Sequence, residues 1–419
     1  MSVKPLRVVV VMIEPPLPFG SAAARWYYVL LRGLVERGHR VTAFAACSDA
    51  SDVEKAAAMF PAPQYDLRCY PIENRKGVAA KLETIRRPHS HLFREGVRRE
   101  LAAVLRKGYD VLHLETAWSG WTALDADPAK VLVNLHYLYA IDDANSSFVD
   151  IRTGLQRALR KRAERNLLHR FGTIAAITPR LESAARKITG GKVPVYWFPF
   201  AIDSTLYRFV PPQERPTRPV VSLIGSMNWR PSHSAAVRLL TRLWPGIKAQ
   251  VPDAKLRIVG WRARSTLREY VDLPGVEIIE DVPDIAPYFK DSSVLVYAAD
   301  DASGIKVKIV EAMAFGVPVV TNTEGIEGLP VRDGVHLAVS DDDRGLIERT
   351  VALLRNVPEQ ERMRLAAREL IETQCSPARA LDAVESCYRD IIGRRGGEHG
   401  IVTLASPPSD SITHSSFAP

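Results

Sequence analysis

The chain has 419 residues, of which 46% are hydrophobic and 25% charged, the proportions of an ordinary soluble globular protein long enough for two domains. No apolar run approaches the ~20 residues of a helical membrane span. The net charge of +8 is uneven: residues 1–200 hold 30 basic against 19 acidic side chains, a balance of +11, and the remainder holds 26 against 29, a balance of −3. A basic half suits a solvated surface or an acidic partner, such as an anionic membrane or a polyanionic acceptor. Nucleic acid is not expected, because neither zinc-finger spacing nor an RNP-like aromatic motif is present. Cys47, Cys69, Cys375 and Cys387 are far apart, without C-x-x-C spacing, and read as reduced thiols of a cytosolic protein. The apolar run Val8–Ile13 is shorter than the ~7–15 residues of a signal-peptide core.

Short apolar runs alternate with amphipathic stretches, which predicts βα units and parallel sheets. In the first half, strands are predicted at Arg7–Ile13, Val41–Ala46, Val111–Leu114, Val131–His136, Thr173–Ile177 and Val193–Phe198. Helices are predicted at Ala22–Arg37, His91–Lys107, Ile151–Arg170 and Arg180–Ile188. Residues 210–219, VPPQERPTRP, carry four prolines and read as a linker between an N-terminal domain, 1–209, and a C-terminal domain, 220–376. The pattern then restarts, with strands Val220–Ile224, Lys255–Val259, Val276–Ile279, Ser293–Tyr297 and Val317–Thr321. Helices are predicted at Ser232–Leu243, Ile305–Phe315, Asp342–Arg355, Glu359–Thr373 and Pro377–Ile392. The tail 393–419 is rich in Gly, Ser and Pro and reads as disordered.

The first βα turn, EPPLPFGSAAARW, has the single glycine Gly20, and no predicted strand is followed by G-x-G-x-x-G, which argues against a dehydrogenase. A strand–turn–helix nevertheless offers backbone N–H groups to an anion. His136 closes a predicted strand, and the carboxyl end of a parallel strand is where α/β sheets bind ligands. Asp142 and Asp143 follow and could orient a hydroxylated acceptor, with Trp118, Trp121, Tyr137 and Tyr139 as aromatic neighbours. In the second half, LIGSMNWRPSHSAA places Gly225, Ser226, Asn228 and Arg230 between strand and helix, and arginine suits forked phosphate recognition. The loop Val282–Asp284 and the run Ser303-Gly304-Ile305-Lys306-Val307-Lys308 follow later strands. Two lysines at a helix N-terminus oppose the dipole unless an anion faces them. A surface ion pair between Lys308 and Glu311 is the alternative.

The segments GSMNWRPSHSAA, DVPDIAPYFKDSSVLVYAA and SGIKVKIVEAMAFGVPVVTNTEGIEGL resemble the donor-binding domain of glycosyltransferase family 4, retaining enzymes of GT-B fold. The resemblance covers 220–392 well and 1–209 loosely, through the Gly20 turn, GYDVLHLE, the strand ending in His136, AAITPRL and FPFAID. It implies two Rossmann-like domains facing each other across a cleft, with the acceptor held by the first and a nucleotide-diphosphate sugar by the second. The helix 377–392 would cross back to the first domain. Glu311 matches a ribose-binding glutamate. Lys306 and Lys308 match donor contacts, and Gly304 and Ile305 offer backbone N–H groups to diphosphate or sugar. Val282 and Asp284 match the loop that frames the base, His136 a histidine near the reaction centre, and Gly20 a glycine loop facing the diphosphate.

Two departures stand out. Ser303 replaces the first of two family glutamates, as in a subgroup reading SGIK-x-K-x-x-E. A Gly-Arg sequence with a following lysine is replaced by GSMNWRP, which moves the cation to Arg230. The resemblance implies no tightly bound cofactor and no catalytic metal, and a glycan, lipid-linked saccharide or small-molecule glycoside as acceptor. A nucleotide-sugar epimerase or hydrolase, or a noncatalytic sugar- or membrane-binding protein, would share the fold. The segment 151–170 carries seven basic residues and one acid, Glu164, with interleaved leucines. It reads either as a sheet-packing helix with a solvated basic face or as a peripheral contact with the inner, anionic face of a membrane.

Overall fold

The computed structural model describes residues 4–48, 50–72, 77–142, 151–299 and 303–396. The chain divides into two compact units, one of residues up to Ile202 together with the chain from Pro377, and one of Asp203–Ser376. In the first unit, seven parallel strands are β1 (Arg7–Met12), β2 (Arg40–Cys47), β3 (Asp66–Pro71), β4 (Val111–Glu115), β5 (Val131–Leu135), β6 (Thr173–Ala176) and β7 (Val195–Trp197). Their order across the sheet is β3-β2-β1-β4-β5-β6-β7. The second unit repeats the scheme with β8 (Val220–Ile224), β9 (Lys255–Gly260), β10 (Val276–Glu280), β11 (Val294–Tyr297), β12 (Val319–Thr321) and β13 (Ala338–Val339), ordered β10-β9-β8-β11-β12-β13. These are two doubly wound, Rossmann-like sheets. In each, the strand order reverses beside the first strand, which leaves a crevice at the carboxyl ends of β1 and β4 and of β8 and β11.

The central strands are buried on both faces, as helix-covered parallel sheets require. All five residues of β4 and all five of β5 are buried, including His113, Glu115 and Asn134. Three polar side chains therefore sit where only internal partners can satisfy them.

The helix Pro377–Gly396 belongs to the first unit. Arg37 bonds Asp382 Oδ1 at 2.7 Å and Glu385 Oε2 at 2.8 Å, and His39 Nε2 lies 2.9 Å from Glu385 Oε1. Leu381 packs against Gly33 so closely that a Cβ there would lie 1.9 Å from its Cδ1.

Some expectations are revised. β3 and the helices Ala50–Met59 and Val78–Arg86 were not anticipated. The closing helix runs to Gly396, so residues 393–396 of the expected disordered tail are helical, and 397–419 lie outside the described residues. The proline-rich stretch 210–219 is no free linker. Arg215 donates to the carbonyls of Ser292 and Ser293 and to Gln360, Arg364 donates to the carbonyls of Gly316 and Val210, and Val210 N donates to Phe315 O. Prolines stop that segment from joining a strand, but arginine forks bind its backbone and neighbours into the second unit.

The turn after β8 depends on a backbone-to-backbone approach. A Cβ on Gly260 would lie 1.8 Å from Gly225 O. Gly260→Ala should therefore displace the Gly225 turn and lower the melting temperature by about 5 °C, given a clash of ~1–3 kcal/mol in a unit of this size. Scanning calorimetry checks this, and an unchanged melting temperature would contradict the close approach.

Candidate functional site

In the first unit, the turn after β1 carries Gly20 with φ of 88°, left-handed backbone that favours glycine. Ser21 caps the helix Ala22–Glu36 by accepting from Ala24 N at 3.0 Å, and its hydroxyl donates to Glu14 Oε1 at 2.6 Å. Burial pushes the Glu14 carboxyl above its ordinary range, against the lowering effects of Ser21 and the nearby His136.

Next to it, at the end of β4, lies Glu115, which is fully buried. Its Oε1 accepts from Trp26 Nε1 at 2.9 Å, and its Oε2 accepts from Asn134 Nδ2 at 3.0 Å and contacts His136 Nε2 at 2.5 Å. His113 Nε2 approaches Oε1 to 3.2 Å. Burial alone would raise this carboxyl, but the charges and hydrogen bonds of His113 and His136 hold it at about 2. Glu115 is a candidate site residue that the sequence reading did not single out. The signal was an acid ending the apolar run VLHL, at the same sheet edge as His136.

Beyond His136 the chain turns into the short helix Tyr139–Asp142, whose first N–H groups, Tyr139 N and Ala140 N, both donate to Glu164 at 3.0 Å. The one acid of the basic helix Ile151–Arg170 is thus a buried cap, and Ala163, Leu167 and Leu168 are buried with it. Tyr139 is stacked on His89 and covered by Arg160, whose guanidinium carbon lies 4.5 Å from the ring centroid. Burial lowers the His89 imidazole to about 4. Trp118 is only 1% exposed and packs on His89 and Tyr139, so its ring offers no face to an acceptor and serves the core instead. Tyr137 is partly exposed and meets Tyr139 edge-on, and Asp142 is partly exposed at the end of its short helix. Asp143 lies outside the described residues.

In the second unit, the switch between β8 and β11 gathers most of the predicted donor-side residues. Gly304 has φ of 88°, and Lys306 ends the loop as the residue preceding the helix Val307–Phe315. No acid occupies the first turn of that helix. Lys306 is buried, donates to Gly304 O at 2.7 Å, and lies 3.6 Å from Glu327. The Lys308 ammonium bonds Ser232 Oγ, sits 4.6 Å from the Tyr297 ring centroid, and would lie 3.0 Å from a Cβ on Gly225. Glycine at 225 thus makes room for the cation. Burial lowers Lys308 to about 8, opposed by Glu311 and assisted by Lys306. Glu311 and Ser303 are buried, and Ile305 is partly exposed.

Ser226 is partly exposed at the end of β8, while Asn228 and Arg230 are exposed around the start of the helix Arg230–Arg238. Val282 is partly exposed, and the exposed Asp284 accepts from Ala286 N at 2.9 Å, which begins the helix Ala286–Lys290. Among the described residues, no group of three His, Cys, Asp or Glu is arranged to hold a metal ion, and no helix is long and apolar enough to cross a membrane.

Comparison with known proteins agrees with these two halves. The family described as "Glycosyl transferase 4-like domain" matches residues 22–199, and "Glycosyl transferases group 1" matches residues 218–356. The chain is a glycosyltransferase of the GT4 type, with the GT-B fold. Solved structures support the fold. A sucrose-phosphate synthase from Thermosynechococcus elongatus is 16% identical with a TM-score of 0.70, covering 93% of this chain and 100% of its own. HepE from Anabaena, in complex with UDP and glucose, is 14% identical with a TM-score of 0.66, covering 92% and 100%. The catalytic domain of starch synthase IV from Arabidopsis thaliana, bound to ADP and acarbose, is 10% identical with a TM-score of 0.63, covering 93% and 100%. No curated protein matches the chain by sequence.

The lowered Lys308 ammonium has a measurable signature. An unfolded lysine titrates near 10.4, and folded Lys308 near 8. Between these values the unfolded chain holds a proton that the folded chain has released, so this group makes stability rise with pH. The melting temperature of the unliganded protein relative to Lys308→Met should therefore climb from pH 8 to 10. A constant difference across that range would contradict the burial of the ammonium.

Proposed function

We propose that this glycosyltransferase is a retaining enzyme that moves a sugar from a nucleotide-diphosphate sugar to a hydroxyl group of a glycan, a lipid-linked saccharide or a small-molecule glycoside. One observation carries the reading. Two lysines, the buried Lys306 and the half-buried Lys308, stand at the N-terminus of the helix after β11, at the strand-order switch, with no acid in its first turn. A cation at about 8 in a glycine-lined crevice, beside helix N–H groups, suits a diphosphate. HepE in complex with UDP and starch synthase IV bound to ADP support a nucleoside diphosphate as the leaving group.

In the proposed reaction the acceptor oxygen bonds the anomeric carbon as the anomeric C–O bond to phosphate breaks. The diphosphate keeps that electron pair and takes the acceptor's proton from the same face, so no protein nucleophile is required. Lys306, Lys308 and the backbone N–H groups of Gly304 and Ile305 stabilise the charge that develops on the diphosphate. Glu311 accepts from the ribose hydroxyls, and Val282 and Asp284 frame the base. Gly225, Ser226, Asn228 and Arg230 border the donor after β8. From the first unit, His136 serves the reacting sugar and Gly20 the diphosphate, while Tyr137 and Asp142 stand on the acceptor side. Ser303, in the SGIK-x-K-x-x-E pattern, leaves the sugar ring without the carboxylate of two-glutamate relatives. No tightly bound cofactor or metal is invoked for these steps.

Titration calorimetry and product NMR test this. UDP-glucose and ADP-glucose are the donor probes. One should bind and yield, with a sugar acceptor, a glycoside of the donor's own anomeric configuration. Glu311→Ala should weaken its binding about 10- to 100-fold, the loss of hydrogen bonds to a charged group. An unchanged affinity would contradict the ribose assignment, and an inverted product the retaining one.

The cytoplasmic protein would also meet an anionic membrane through its first unit. Val78, Leu82 and Ile85 are exposed at i, i+4 and i+7 on the helix Val78–Arg86, with Lys81 and Arg86 exposed beside them. That helix packs beside Ile151–Arg170, whose Leu155, Arg162, Arg165 and Arg170 are exposed. An apolar ridge among arginines fits an acidic lipid surface. Cosedimentation at low salt should show binding to vesicles containing phosphatidylglycerol but not to pure phosphatidylcholine, and loss of binding in Leu82→Glu/Ile85→Glu. No binding to the anionic vesicles would refute the contact.

A further inference from the structure

We infer that Glu115 is a positioning residue that fixes the tautomer and direction of His136, keeping the proton on Nε2 and presenting Nδ1 to the sugar or its leaving group. The inference rests on the proposed role of His136 and adds the group that controls it.

A buried carboxylate stays ionised only when its charge is paired and its lone pairs are filled. Glu115 accepts from Trp26 and Asn134 and contacts His136 Nε2, and the imidazole of His113 stands 3.2 Å from its Oε1 without completing a hydrogen bond. An ionised carboxylate only accepts hydrogen bonds, so the 2.5 Å contact between its Oε2 and His136 Nε2 requires a proton on that nitrogen. Asn134 Nδ2 donates to the same oxygen at 3.0 Å and stands 3.4 Å from His136 Nε2, too long to compete with the 2.5 Å carboxylate contact for that nitrogen.

The other ring nitrogen, Nδ1, has no hydrogen-bond partner among the described residues. It is an acceptor when the ring is neutral and a charged donor when the ring is protonated. Tyr27 meets the ring edge-on with centroids 5.7 Å apart, which restricts its rotation, and Glu14 from the turn after β1 is the other titratable group acting on it.

The support extends one step further. The Tyr388 hydroxyl, on the closing helix, lies 2.7 Å from His113 Nδ1, and His113 Nε2 faces Glu115. Tyr388, His113 and Glu115 are all fully buried. The helix Ala22–Glu36, strands β4 and β5 and the closing helix thus converge on one imidazole. A catalytic group held within a narrow range of orientation needs such backing.

Two measurements test the proposal. In protein carrying 15N-labelled histidine, with the His136 signals assigned by their loss in His136→Asn, Nε2 should remain in the protonated range from pH 6 to 9. An unprotonated Nε2 anywhere in that range overturns the proposal, and this result needs no variant of Glu115 to fold. In Glu115→Gln, whose amide can donate to Nε2, the tautomer should shift towards Nδ1–H. Turnover should fall about 10- to 100-fold, the effect of losing a ligand-orienting partner, while calorimetric binding of UDP is retained. Turnover and tautomer both unchanged in Glu115→Gln overturn the positioning role. Should His136→Asn itself turn over at the wild-type rate, the role of His136 fails instead, and the two failures are told apart.

Discussion

A parallel sheet whose strand order reverses beside its first strand cannot close the space at that point, and the two halves of this chain are built on that constraint. The segments leaving the two central strands depart to opposite faces, so their turns splay apart and leave a crevice lined by backbone N–H groups. In the first unit the crevice lies after β1 and β4, where Glu14, Gly20 and Glu115 are found. In the second it lies after β8 and β11, where Gly225, Lys306 and Lys308 are found. The polar residues of functional interest gather there because elsewhere along these central strands side chains are covered on both faces.

Each crevice keeps a charge that the surrounding protein does not favour. Lys308 loses water to Ser232, Gly225 and the Tyr297 ring, and its ammonium titrates at about 8 as a result. Glu115 loses all contact with water and is held ionised, at about 2, by two imidazoles. The two cases have opposite outcomes for a physical reason. Glu115 takes hydrogen bonds from Trp26 and Asn134 and a close contact from His136, so its charge is supported without ligand. Lys308 has a hydroxyl, a ring face and one carboxylate as neighbours, a weaker set, which an anionic ligand would complete. One group reads as internal support and the other as a receptor.

The sheets were legible in the sequence because apolar runs such as VVVVM and VLVY mark strands buried on both faces. The edge strand β3, DLRCYP, was not, because its residues are only partly buried and polar side chains break the run. The helix Val78–Arg86 was hidden for a related reason, since its apolar residues face solvent rather than a core. At the site, the lysine pair and Glu311 were visible as an anomaly against the helix dipole. Glu115 was not, because a carboxylate at a strand end looks like a solvated terminus until the fold brings His113, Asn134 and Trp26 around it. Trp118, in sequence only an aromatic neighbour of the loop holding Asp142, is buried by the fold against His89 and Tyr139.

In the proposed reaction a nucleoside diphosphate sits in the β8/β11 crevice. A crystal structure of the protein soaked with UDP-glucose or ADP-glucose tests this most directly. Diphosphate oxygens are expected within about 3 Å of Lys308 Nζ, hydrogen-bonding distance for a charged pair, with the ribose hydroxyls on Glu311. A nucleotide bound elsewhere, with Lys308 still turned onto Ser232, would contradict it.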